Sequence, residues 1–63
     1  MEKEKTIEDL IQMIESGLTA IRPMRANGAV VNYVIETSFG TYCYTGKTLR
    51  AALEKAVTDY EKG

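Results

Sequence analysis

Four cations in the middle of the chain are the first residues that could do chemistry: Arg22, Arg25, Lys47 and Arg50. Lys47 and Arg50 flank Thr48, which opens a helical pattern. Helix N-termini favour anions, so two cations there sit at the wrong end of the dipole unless they help to hold a phosphate or a carboxylate. Arg22 and Arg25 would join them if the strands that carry them fold alongside. Solvated surface charge is the plainer account of the same four residues. Gly46-Lys47-Thr48 repeats the end of a phosphate-binding loop, but position 41, where that motif needs its first glycine, is Thr41. Cys43 is the single cysteine and there is no histidine. No disulfide can form within the chain, and the usual zinc sites and imidazole acid–base designs are excluded. The carboxylates of Glu8, Asp9, Glu15, Glu36, Glu54, Asp59 and Glu61 fall mostly at helical spacings that face solvent. No pair is forced into one pocket, so the expectation is a protein that is not an enzyme and uses no cofactor or metal.

The elements that would position these residues follow from punctuation and periodicity. Thr6 with Asp9 makes a capping box in which aspartate replaces the usual glutamate. Ile7, Leu10, Ile11 and Ile14 then recur at helical spacing. Gly17 is the preferred stop, in a left-handed cap with Leu18 folding back; the alternative continues the stripe through Leu18 and Ile21 until Pro23 ends it. Asn27-Gly28 favours the first option, because it is the strongest short-range hairpin signal and a hairpin needs two arms. Residues 29–36 (AVVNYVIE) form one arm by their β-branched content. Residues 18–26 form the other, an edge strand, since Pro23 cannot donate a ladder hydrogen bond. After the turn at Ser38-Phe39-Gly40, residues 41–45 (TYCYT) form a third strand. Thr48 caps a second helix with Leu49, Ala52, Leu53, Ala56, Val57 and Tyr60 on one face. The expected fold is a single α+β domain over residues 1–63 with residues 1–5 as a frayed lead-in. Its order is α-β-β-β-α, a two-layer sandwich with an antiparallel three-stranded sheet and both helices on one face.

An unbroken two-residue hairpin pairs Ala26 with Ala29, Met24 with Val31, Arg22 with Tyr33 and Ala20 with Ile35. In that register Leu18, Ala20, Met24, Val31, Tyr33, Ile35, Tyr42 and Tyr44 floor the helices. Thr19, Ile21, Pro23, Arg25, Val30, Asn32, Val34 and Cys43 line the other side, which no further element of the chain would cover. Uncovered apolar patches of this kind mark interfaces. Ile21, Arg25, Val30, Asn32 and Val34 are therefore the expected partner-binding residues, and Arg22, Arg25, Lys47 and Arg50 the expected anion-binding ones. Tyr33, Tyr42 and Tyr44 could stack on bases, although amphipathic core positions with hydroxyls at the rim account for them more simply.

Size and composition bound what these surfaces can be asked to do. A chain of 63 residues buries about 60% of its unfolded surface. Its core supplies roughly 3–5 kcal/mol, which is why such domains add a disulfide, a metal or a second subunit. With the first two excluded, self-association is the staple left. Formal net charge is −1, which argues against coating nucleic acid. Charge is nonetheless polarised: residues 16–53 hold four bases and one acid, whereas the two ends together hold four bases and eight acids. No apolar run reaches the roughly 20 residues that span a bilayer, and the N-terminus has no apolar targeting segment. A lone thiol suits a reducing compartment, so the cytoplasm is the expected location.

The order α-β-β-β-α together with the stretch 46–53 (GKTLRAAL) resembles the double-stranded RNA-binding domain. That family reads a duplex with a basic cluster at the start of its last helix, which the resemblance would carry onto Lys47 and Arg50. The stretch 44–56 (YTGKTLRAALEKA) is also similar to the strand–glycine–helix ending of small phage and prophage accessory proteins, including the phage α-β-α sandwich group. In size and acidic ends the chain resembles phage inhibitors of host defence, anti-CRISPR proteins among them. This resemblance implies a non-enzymatic binder that occludes a host protein. A second copy of the chain is an alternative occupant of either surface. The competing expectations are a nucleic-acid or nucleotide binder using the four cations, and a purely structural self-associating subunit.

Overall fold

Thr6 starts the first helix as its chemistry dictates. Its Oγ1 accepts from the Asp9 N–H at 3.1 Å, and the Asp9 carboxylate accepts from the Thr6 N–H at 3.1 Å, a reciprocal capping box. The computed structural model describes residues 5–62. The expected lead-in lies outside them except for Lys5, whose carbonyl accepts from Arg50 Nη1 at 2.6 Å. Helix α1 spans Ile7–Ile14 and continues as one 3₁₀ turn, Glu15–Gly17, before strand β1 begins at Leu18. The stop therefore falls at Gly17 and not at Pro23. The expected left-handed cap is corrected, because Gly17 is not among the positive-φ residues. Glycine is required there by close approach: a Cβ would lie 2.5 Å from the Phe39 ring.

Strands β1 (Leu18–Ala26), β2 (Ala29–Thr37) and β3 (Cys43–Gly46) form an antiparallel sheet in the order β1-β2-β3, and helix α2 spans Leu49–Lys62. The hairpin turn is the one its sequence requires, with Asn27 at φ 53° and Gly28 at φ 81°. Thr48 caps α2 through its Oγ1, which accepts from the Ala51 N–H at 3.0 Å. Both helices lie on one side of the sheet over a core of Leu10, Ile14, Ile35, Tyr44, Ala52, Leu53, Ala56 and Val57. This is the α+β architecture that the sequence implies.

The register differs from the unbroken ladder. Arg25 pairs with Val30 but Met24 pairs with Asn32, so Val31 is an extra residue in β2; a second irregularity at Thr19 leaves Leu18 beside Thr37. A one-residue slip exchanges the two sides of a strand. Ile21 pairs with Ile35 and Pro23 with Tyr33 on the helix side, while Ala20, Arg22 and Met24 turn outward beside Glu36, Val34 and Asn32. The reason is legible in retrospect. Without the bulge Arg22 would lie beneath the helices next to Tyr33 and Ile21 would face out. With it, the guanidinium meets Glu36 outside at 3.2 Å and the isoleucine joins the apolar side.

The third strand is also shorter than expected. Tyr42 adopts φ 68°, outside the extended region, and its N–H donates to the Phe39 carbonyl at 3.0 Å. The ladder therefore starts at Cys43, opposite Glu36. Phe39 closes this end of the core, 6.1 Å from the Tyr44 ring and 5.0 Å from the Tyr60 ring between centroids. At the other end Gly46 passes under α2 so closely that a Cβ would lie 2.6 Å from the Ala52 nitrogen.

Candidate functional site

Ladder partners share a side of a sheet, so the register sorts every expected binding residue. Asn32 and Val34 lie on the outer side, as expected, together with Ala20, Arg22, Met24, Glu36, Cys43 and Thr45. Ile21, Arg25 and Val30 do not. They fall on the inner side, because β1 is displaced by one residue relative to β2 across the Val31 bulge. The expected single surface is thus two surfaces that share one hairpin.

The outer surface runs across all three strands, and among the described residues no helix crosses it. Met24 is 44% exposed, Ala20 and Val34 are half-buried and Cys43 is exposed, around the Arg22–Glu36 ion pair. The mixture suits a non-obligate interface, in which apolar and polar area are comparable.

Both free edges of the sheet are blunted. Pro23 removes a donor from β1, the extra residue Thr19 distorts it, and Arg22 and Arg25 add charge along it. On β3 the Lys55 ammonium donates to the Thr45 carbonyl at 2.7 Å, filling an acceptor at the far edge of the sheet. Strand addition at either edge is therefore disfavoured, and the faces remain.

The four cations do not converge. Arg22 is held by Glu36 on the outer side, whereas Arg25 is on the inner side near the hairpin turn. Arg50, in the first turn of α2, donates to the Lys5 carbonyl and lies 3.8 Å from Glu54 one turn along. The cation that looked misplaced at a helix N-terminus is answered inside the chain. Lys47 stands exposed in the connection between β3 and α2.

The tyrosines part in the same way. Tyr44 is buried with its hydroxyl donating to Asp59 Oδ2 at 2.9 Å and accepting from the Thr41 N–H at 3.2 Å. Tyr33 is half-buried against the core and Tyr42 is 65% exposed, so they form no stacking platform. Among the described residues no group of His, Cys, Asp and Glu converges as metal ligands would, and no pocket is enclosed. Among the described residues no helix is long and apolar enough to cross a membrane.

Fold and surface together define a small α+β domain in which, among the described residues, no helix covers one side of the sheet. Comparison with protein-family models, with curated proteins and with solved structures gave no match for this chain.

Proposed function

We propose that the protein is a non-catalytic protein-binding module that docks through the outer side of its sheet. The observation that carries this reading is the uncovered face across β1, β2 and β3, with Ala20, Met24, Val34 and Cys43 set around an ion pair. Scale supports it. A standard interface takes ~800 Å² from each partner, roughly a sixth of this molecule's 4597 Å² and the order of one broad side of a body measuring 38 × 29 × 15 Å. The resemblance to small phage inhibitors makes a host protein the proposed partner, occluded by contact and not modified. The basic-patch alternative is weakened by the engagement of Arg22 and Arg50 within the chain.

The experiment is affinity capture with the full chain and, in parallel, with Val34→Glu, which sets a charge in the middle of the outer side. A protein retained by the parent chain and lost with Val34→Glu, at unchanged thermal stability, is the expected result. Equal retention by both removes the outer side as the docking surface. Binding to RNA, DNA or nucleotides that falls steeply with salt would instead favour the cationic reading.

A further inference from the structure

The turn that closes the β1–β2 hairpin carries a reactive pair of residues. Asn27 has φ 53° and Gly28 φ 81°, the left-handed conformations of a type I′ turn. Both are exposed, as is every residue from Ile21 to Val31. Ala26 and Ala29 form the last ladder pair, so the Gly28 N–H lies outside the ladder, at the tip. A Cβ built on Gly28 would meet nothing within 4 Å. The Gly28 nitrogen is therefore screened neither by a side chain of its own nor by a packed neighbour, and it stands one residue after a side-chain amide.

The other side-chain amides are guarded. The chain has two asparagines and one glutamine. Asn32 is half-buried within β2 opposite Met24, and the side chain of Tyr33, itself half-buried against the core, crowds the nitrogen that follows it. Gln12 lies inside α1, where the next nitrogen, that of Met13, belongs to the helix.

We propose that Asn27 is a site of spontaneous deamidation, through which the chain passes into a second, more acidic folded form. The Gly28 nitrogen loses its proton and bonds to Asn27 Cγ. The side-chain NH₂ leaves with a proton as ammonia, and a five-membered succinimide remains. Water then adds to one of the two ring carbonyls and breaks its bond to nitrogen. One opening leaves an aspartate at position 27, the other an isoaspartate whose main chain runs through Cβ. In a type I′ turn the Cα–C bond of Asn27 directs the Gly28 nitrogen away from the Asn27 side chain, so ring closure requires the tip to open. A hairpin tip without covering layers opens at low cost.

The consequences are confined by the fold. No residue from Ile21 to Val31 belongs to the core, so the body stays folded when the turn changes. Between residues 19 and 32 the only charges are Arg22 and Arg25. The new carboxylate is the first acid in that stretch and makes the net charge one unit more negative than the −1 of the parent chain. Isoaspartate also adds a main-chain atom to a loop whose two residues fit the twist of the strands, which loosens the tip. The inference stands apart from docking on the outer side, and either holds without the other.

Isoelectric focusing of the full chain after long incubation in mildly alkaline buffer tests it. The expected result is a single new band on the acidic side, with peptide mass spectrometry placing the change at Asn27 as a mixture of aspartate and isoaspartate. Asn27→Gly keeps a pair suited to the turn and is expected to abolish the band, whereas Asn32→Thr leaves it in place. The purified acidic form is expected to melt cooperatively by circular dichroism at the midpoint of the parent, with faster hydrogen exchange only at the hairpin. A chain whose charge does not change overturns the proposal. So does a band that maps to Asn32 or Gln12, one that Asn27→Gly leaves in place, or an acidic form that no longer melts cooperatively.

Discussion

The packed body and the free hairpin are built on different physics from one short chain. In the body, Ile14, Ile35 and Leu53 are fully buried, and the interior polar groups find partners, as Tyr44 does with Asp59 and Thr41. In the hairpin every residue from Ile21 to Val31 is exposed, and its form rests on a positive-φ turn and on pairing between two strands. An isolated two-stranded hairpin is marginal in water. This one is anchored because its base enters the sheet beside β3 and under α2. The difference separates stability from recognition: the body holds the fold, and the hairpin can vary or bind at little cost to it.

That contrast can be broken or sharpened by substitution. The largest effect belongs to the body. Leu53→Ala removes a fully buried side chain beneath α2 and is expected to destabilise by ~2–5 kcal/mol. In a domain with roughly 3–5 kcal/mol to lose, that leaves much of the chain unfolded at room temperature, as read by far-ultraviolet circular dichroism. A well-folded Leu53→Ala would place the stabilising core elsewhere. Next comes Gly46→Ala at the junction of the two regions. Its Cβ meets the α2 backbone at the Ala52 nitrogen, and the shift this forces is expected to cost ~1–3 kcal/mol in urea unfolding. The smallest effect belongs to the hairpin. Val31→Thr, at the bulge, is expected to change stability by no more than about 0.5 kcal/mol. Hydrogen exchange should show the same order, fast at hairpin amides and slow at those of β2 near Ile35. Equal protection in the two regions would mean that the hairpin is covered in solution.

Much of this was settled by residues acting locally. Thr6 with Asp9 and the Thr48 hydroxyl start the helices, and Asn27-Gly28 turns the hairpin. These need only near neighbours, so type and spacing suffice to read them. Which side each β1 residue faces did not follow, since an unbroken ladder and one with an extra residue at Val31 have the same local propensities. Tertiary structure chose between them by placing Ile21 beside Ile35 and Arg22 beside Glu36. The same holds for Tyr42, whose left-handed backbone shortens β3, and for Phe39, whose ring needs Gly17 opposite it. Residue types alone therefore determined the elements, their order and the absence of histidine and disulfide chemistry. Packing decided the two surfaces, because a single inserted residue exchanges the sides of a strand, and only the burial available across the whole molecule fixes where it goes.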